Sequence, residues 1–362
     1  MIVKNNKNFM KRKLQTAIAA IACMVFGHNV SAQTVTYDFN SDAVASPGTV
    51  AGLTLASTAA INVVAGSGLS DGNTTNLLKP ATFVVDGVSN ASIVGDLTSI
   101  LTATDYSVTW KEYITVAATQ LKKGFLLRGS GIGGYTAGIK QGYLFIVQNE
   151  TTGNVTFRIL KSSSSTSTTS IASSSATALP GFAVNTPYWF RASIIGNFLR
   201  FESSTDGTIW TSRLTAMDNA YSSGTTQLYC GLGSNNSSYM FDDVVSSVIA
   251  PTTWDGTAWD NGTPAAGKRA IINGNYTETG TLTATALDIK GNAVVNVPSG
   301  KSFNIFGAIN VDPTASLTFE NNANLIQQST STGAVPNHNT GNIVVKRNSS
   351  ALSRLDYTLW SS

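Results

Sequence analysis

Histidine is almost missing from this 362-residue chain, which holds two, and only His338 lies outside the N-terminal segment. Cysteine is as scarce, with Cys23 and Cys230, and charged residues make up 12% of the total. A single histidine in the polar loop Pro336-Asn337-His338-Asn339, with no cysteine or acidic cluster nearby, reads as a solvated loop residue. It gives no route to a Ser-His-Asp triad. Two cysteines supply no disulfide framework, and Cys230 in the run Leu228-Tyr229-Cys230 reads as a buried free thiol. Stability must therefore come from the core, with a bound metal as the one further aid. Long apolar runs are also lacking: the longest, Leu14 to Phe26, is too short to span a bilayer comfortably.

That run belongs to a targeting segment. Lys4, Lys7, Lys11, Arg12 and Lys13 form a basic region before it, and Val30-Ser31-Ala32 supplies small residues for cleavage, which predicts Gln33 as the mature N-terminus. A lipoprotein signal at Cys23 is the competing reading, disfavoured because Ala20 precedes Ile21-Ala22 and apolar residues continue past the cysteine. Residues 1–32 thus read as a signal peptide, and the expected location is secreted or cell-surface. Five of the 23 basic residues and none of the 20 acidic ones precede Gln33, which turns a net +3 into −2 for the remainder. No basic patch is left to hold nucleic acid or an anionic membrane.

What is present is β-forming. Gly, Ser, Thr and Asn abound, and short apolar alternations recur between turn signals. Val35 to Phe39, Tyr106 to Trp110, Gly124 to Arg128, Tyr143 to Gln148, Val155 to Leu160, Tyr188 to Ile195, Phe198 to Ser203, Leu228 to Leu232 and Tyr239 to Val245 read as strands. Asp206-Gly207 marks a hairpin between Phe201 and Trp210. The Ser/Thr-rich stretch 162–175 lies between strands of one domain, so it reads as a hairpin or edge strand rather than a linker. Such regular spacing over residues 33–248 predicts a jelly-roll β-sandwich.

The last third carries a repeat. Leu287-Asp288-Ile289 returns after 22 residues as Ile309-Asn310-Val311, Val295-Asn296-Val297 as Leu317-Thr318-Phe319, and Phe303-Asn304-Ile305 as Leu325-Ile326-Gln327. Apolar outer positions around a polar middle one are the mark of a short strand with one buried face. Three such strands per repeat predict an all-β, short three-strand-per-coil parallel β-helix, or solenoid, over 269–362. Residues 249–268, with Trp254-Asp255-Gly256 and Trp259-Asp260-Asn261-Gly262, read as a linker or cap over the open end of the stack. Sugar stacking on Trp254 and Trp259 is the alternative. The chain stops at Trp360-Ser361-Ser362 with no capping element, from which a truncated stack is expected.

Together, YDFN near the start, GFLLRGSG and GYLFIVQ in the middle, SSTDGTIW on a hairpin and YMFDDV at the end resemble a laminin-G/concanavalin-like jelly roll. With the signal, the Trp-Asp/Asn-Gly units, the coil repeat and GNIVVKRNSSALSRLDYTLWSS, the whole resembles large secreted, adhesin-like surface proteins of Bacteroidetes. The resemblance implies type IX secretion, although the sorting domain usual for that route is absent. It also implies a structural calcium where the sandwich termini meet. Asp38 on the first strand and Asp242 and Asp243 on the last would supply carboxylates to an ion that takes 6–8 oxygens. The competing reading has these acids capping strand ends in solvent.

Catalytic constellations are thin. A glycosidase needs two carboxylates across a cleft, and Glu112 with Glu202, neutralised by Arg191 or Arg200, is the one pair to consider. A structural ion pair or an exposed strand end is the alternative. Lys290 and Lys301 alone do not make a lyase groove. Carbohydrate recognition on a sheet face fits better. Trp189 and Arg191 share one side of their strand, and Tyr135 and Tyr143 flank the Gly-rich loop at 131–142. The expectation is a non-catalytic surface protein whose sandwich binds a glycan or another extracellular ligand and whose solenoid is a stalk or spacer. The alternative is an accessory carbohydrate-binding region of a larger polysaccharide-degrading enzyme, with its catalytic domain beyond Ser362.

Overall fold

The computed structural model describes residues 34–37, 39–40, 42, 53–55, 61–80, 92–97, 103–115, 122–130, 141–151, 153–164, 167–230, 239–327 and 338–348. Residues 1–32, where a signal peptide is expected, lie outside these residues, as do Asp38, Tyr135 and the side chain of Cys230. No helix occurs among the described residues, and hence none long and apolar enough to cross a membrane.

Among the described residues, sixteen strands build the first region. They are β1 (Thr34–Tyr37), β2 (Leu53–Leu55), β3 (Ile61–Ala65), β4 (Asn76–Pro80), β5 (Ser92–Leu97), β6 (Tyr106–Ile114), β7 (Lys122–Gly129) and β8 (Gly142–Thr151). Then come β9 (Asn154–Ser164), β10 (Ser167–Ser173), β11 (Thr177–Ala178), β12 (Tyr188–Ile195), β13 (Phe198–Ser204), β14 (Thr211–Met217), β15 (Thr225–Cys230) and β16 (Tyr239–Val248). A front sheet runs β14-β13-β12-β6-β16-β4-β3, with β1 also on β16. A back sheet runs β10-β9-β8-β7-β15-β5-β2, with β11 also on β9. The described residues of the Ser/Thr-rich stretch pair β9 with β10 at the edge of the back sheet, where Thr168, Thr169 and Ser170 are exposed.

Alternation sends Tyr106, Val108 and Trp110 of β6 inward and Ser107 and Thr109 outward. Facing them, Phe125, Phe145 and Phe157 come from the back sheet, and Trp110 lies 4.9 Å from Phe125, ring centre to ring centre. Phe190 and Phe201 of the front sheet complete this aromatic layer. Burying each ring removes a large apolar area from water, and at roughly 25 cal/mol per Å² such rings dominate the sandwich's stability.

The solenoid begins earlier than the sequence pattern suggested, because β17 (Thr252–Trp254) already forms its first rung. It continues with β18 (Arg269–Ile272), β19 (Tyr276–Thr277), β20 (Thr281–Ala284), β21 (Ala286–Ile289), β22 (Val294–Val297) and β23 (Ser302–Ile305). β24 (Ile309–Val311), β25 (Ser316–Phe319), β26 (Asn324–Gln327) and β27 (Val344–Val345) follow. Three parallel sheets result: β17-β18-β21-β24, β19-β22-β25-β27 and β20-β23-β26. The repeated triplets pair in the expected register, Leu287 with Ile309, Val295 with Leu317 and Phe303 with Leu325. The preceding coil is shorter, since Ala270 pairs Leu287 and Tyr276 pairs Val295. Outer triplet residues fill one core, while Asn296, Asn304, Asn310 and Thr318 face outward.

The solenoid does not swing free. Arg269 donates from Nε and Nη2 to the two carboxylate oxygens of Asp105, each at 2.7 Å, and from Nη1 to Asp288 at 2.9 Å. Burial works against its charge, but the two carboxylates outweigh it and hold the guanidinium pKa above its usual value. Beside it, the β12–β13 turn lies on the coils: Asn197 Oδ1 accepts the Ala308 amide at 3.1 Å, and the Phe198 and Phe306 rings meet edge to face. A Cβ on Gly307 would sit 3.1 Å from Phe198 Cβ and 2.8 Å from the Thr285 carbonyl, so only glycine permits this approach.

Candidate functional site

The outward side of the front sheet carries a polar–aromatic surface. On β12, Trp189 and Arg191 point away from the core while Tyr188, Phe190 and Ala192 point into it. The Arg191 guanidinium stacks 4.2 Å from the Trp210 ring centre and donates from Nε to Glu202 Oε2 at 2.7 Å. Arg200, also on β13, approaches Glu202 Oε1 at 3.8 Å, and its buried Nε has no hydrogen-bond partner. Trp189 is flanked by Lys111 Nζ, 5.5 Å from its ring centre, and by the β13–β14 hairpin. Gly207 holds φ at 74°, and a Cβ there would meet the indole at 3.1 Å, so the hairpin lies against the ring.

Asp206 shapes that hairpin. Its Oδ1 accepts from the amides of Thr208 and Ile209 and from the Ser204 hydroxyl, which pulls its pKa well below the carboxylate range. The turn in turn places Trp210 over Arg191. Where the front sheet meets the solenoid, this surface deepens into a cleft of about 330 Å³ lined by Arg191, Arg200, Glu202, Phe198, Ala266 and Gly267. Half-buried indoles beside fixed guanidinium donors are what a shallow polyhydroxylated ligand requires: flat apolar faces, and N–H groups at the rim.

Further along the same face, Lys111 Nζ stands 3.0 Å from Asp71, 3.7 Å from Asp242 and 3.9 Å from Asp243. The β16 bulge between Asp242 and Val245 turns these acids toward it, with Asp243 at φ 45°. Burial opposes the charge on Lys111, but Tyr113 and Asp71 outweigh it and raise its pKa above the usual value. Burial and the neighbouring Asp243 charge push Asp242 up to about 6. The positive charge among these carboxylates is therefore the protein's own ammonium. Asp242 is further engaged by Asn73 Nδ2 at 2.8 Å, so it caps no strand end in solvent. No group of three or more His, Cys, Asp or Glu suited to a metal occurs among the described residues.

Two sequence candidates are corrected. Glu112 and Glu202 lie on opposite sides of the front sheet, because Glu112 shares the parity of buried Trp110 whereas Glu202 faces out with Arg200. One glycosidic bond cannot touch both. Tyr143 is wholly buried, donating to Asp218 Oδ1 at 2.8 Å and accepting the Tyr221 amide, so it is a structural tyrosine out of a ligand's reach.

Trp254 and Trp259 form an aromatic trio with Tyr276 against the first coil, and Trp254 Nε1 donates to the Asn275 carbonyl. His338 lines a second cleft of about 340 Å³ beside Arg128, Arg269, Tyr221 and Asn310, rather than standing free in solvent. Strand patterning alone does not reveal Trp210 and Lys111 as members of the outer face. Trp210 lies beyond a turn, where strand parity is lost, and Lys111 sits between Trp110 and Glu112, which gives it no sign of its own.

Residues 249–362 match a family described as Domain of unknown function (DUF8693). No curated protein matches the chain. Among solved structures, the carbohydrate binding module CBM66 from Bacillus subtilis is similar at 15% identity and a TM-score of 0.31, over 54% of this chain and 94% of that one. Sheep galectin-11 in complex with glycerol is similar at 13% identity and a TM-score of 0.28, over 45% of this chain and 99% of that one. The GH43 protein BlXynB from Bacillus licheniformis is similar at 13% identity and a TM-score of 0.32, over 59% of this chain and only 39% of that one. Likeness of this degree carries no function across.

Proposed function

We propose that this is an exported, non-catalytic surface protein whose front sheet binds a glycan. One observation carries the reading: Trp189 and Trp210, both half-buried, accompany Arg191 on the solvent side of the sheet, beside a cleft lined by Arg191 and Arg200. Sugars stack their C–H faces on indoles and accept hydrogen bonds from guanidinium groups, and neither interaction needs a reactive carboxylate. The solenoid then serves as a rigid spacer, buttressed from the side by the Arg269 clamp rather than hinged at its end. The basic and apolar N-terminal segment supports export.

The test is tryptophan-fluorescence titration of the chain from Gln33 onward against neutral and uronic-acid polysaccharides, with and without calcium. Saturable quenching that weakens about tenfold or more in Trp189→Ala and Trp210→Ala supports the reading. Flat titrations across the panel, or binding indifferent to both substitutions, would overturn it.

A further inference from the structure

Three polar side chains meet inside the sandwich core, where the binding face has no use for them. Lys123 of β7 and Asn149 of β8 project from the inner side of the back sheet, and Glu112 of β6 projects from the inner side of the front sheet. Their exposures are 0%, 1% and 0%. Lys123 Nζ donates to Asn149 Oδ1 at 2.6 Å and stands 2.8 Å from Glu112 Oε1. Aromatic rings close the site: Tyr239 and Phe182 lie 5.5 and 5.9 Å from Nζ, and Phe241 pairs with Glu112 across the strands.

We propose that Lys123 and Asn149 are joined by an intramolecular isopeptide bond, formed as the sandwich folds and catalysed by Glu112. An amine, a carboxamide and a carboxylic acid are the complete inventory for that condensation. Packing holds the nucleophile against its target as one molecule, which replaces a collision between two. Water, which would compete and would keep the amine protonated, is excluded.

The proton inventory closes without an outside reagent. In a dry core two opposed charges are costly, so passing the Lys123 proton to Glu112 leaves a neutral amine beside a neutral acid. Burial pushes the Glu112 pKa up, which favours the acid form, although Lys123 pulls the other way. Lys123 Nζ, 2.8 Å from Glu112 Oε1, is near enough to pass its proton to that oxygen. The Nζ lone pair attacks Asn149 Cγ while the Glu112 proton neutralises charge growing on Oδ1. Glu112 then takes a proton from Nζ and delivers it to Nδ2. The Cγ–Nδ2 bond breaks, ammonia leaves, and the Oδ1 proton returns to Glu112 as the carbonyl reforms in a secondary amide. One C–N bond is made and one is broken, with nothing oxidised or reduced.

The product would turn β7, β8 and their connection into a covalent ring and remove a buried ion pair from the core. A purely structural Lys-Glu-Asn cluster is the competing account, and it leaves every atom of the sequence in place.

Mass spectrometry of the purified wild-type chain decides between them. The expected result is a protein lighter than its sequence by one ammonia, and a tryptic map in which Lys123 and Asn149 sit in one branched peptide. The map is essential, because cyclisation of an N-terminal Gln33 sheds the same mass. Asn149→Asp should lose water in place of ammonia at this site, and Glu112→Gln should return the unlinked peptides. Separate, unmodified peptides bearing Lys123 and Asn149 from folded wild-type protein would overturn the proposal, whatever the variants do.

Discussion

The sandwich and the solenoid place their polar groups in opposite ways. Every outer triplet residue from Leu287 to Phe319 is buried among apolar neighbours, and the polar middle positions face outward. The sandwich instead carries Glu112, Lys123 and Asn149 inside and Trp189 and Trp210 in its surface. Contacts differ in kind as well. Each coil rests on the next through residues some 22 positions apart, whereas β1 pairs with β16 across most of the sandwich. A stack of near-copies needs only a uniform core. A sandwich closed by distant strands can hold one-off polar constellations that a repeat cannot.

The largest effect should come from opening the uniform core. Phe303→Ala removes a fully buried ring 5.6 Å from Phe319 and should cost about 3–5 kcal/mol by urea denaturation. Hydrogen exchange should then rise in the coils and leave the β6–β12–β13 ladder protected; uniform loss of protection would erase the contrast. Next comes the clamp. Arg269→Ala strands the buried Asp105 carboxylate and should cost about 3 kcal/mol, splitting one calorimetric transition into two. A single retained transition would mean that the regions unfold together for another reason.

Acidity probes the sandwich alone. Asp242 has its folded pKa raised to about 6 from an unfolded value of about 4, so the fold binds the extra proton. Its contribution is fully present below pH about 4 and is lost as the pH rises through about 6. After allowing for solvent screening and for Lys111, the loss should be about 1–2 kcal/mol, visible as a slope in urea midpoints that Asp242→Asn removes. The smallest effect should belong to the solenoid's outer ladder. There, Asn310 donates to Asp288 Oδ1 at 2.7 Å and accepts from Thr340. Asn310→Ala should cost about 1 kcal/mol.

The solenoid is legible in the sequence because its strands pair with their own near-repeats, so spacing alone yields register. The pairing of Leu287 with Ile309 is already implied by the matching triplets. The short coil at Ala270 is not, because its spacing departs from the repeat. In the sandwich, strand parity correctly puts Trp189 and Arg191 on one side. It also places Glu112 with Trp110, yet nothing local reveals that Glu202 faces the other way or that Lys123 reaches over from the back sheet. Tyr143 misleads for the same reason: a tyrosine beside a Gly-rich loop looks accessible until the opposing sheet covers it. The sequence also gives no sign that Lys111 stands beside Asp242 and Asp243, since the three meet only through the pairing of β6 with β16.

The lateral contact between the two regions limits how the repeat can vary between generations. Arg269 and Asp288 lie on two neighbouring strands of one solenoid sheet and Ala308 immediately precedes the third; Arg269, held by Asp288, meets Asp105 of the sandwich, and Ala308 meets Asn197. Gene slippage that adds or drops a whole coil between Asp288 and Ala308 would keep every apolar triplet satisfied yet slide Ala308 away from Asn197. The sandwich thus acts as a ruler against which these coils are counted, and changes in repeat number should be tolerated only above the measured stretch.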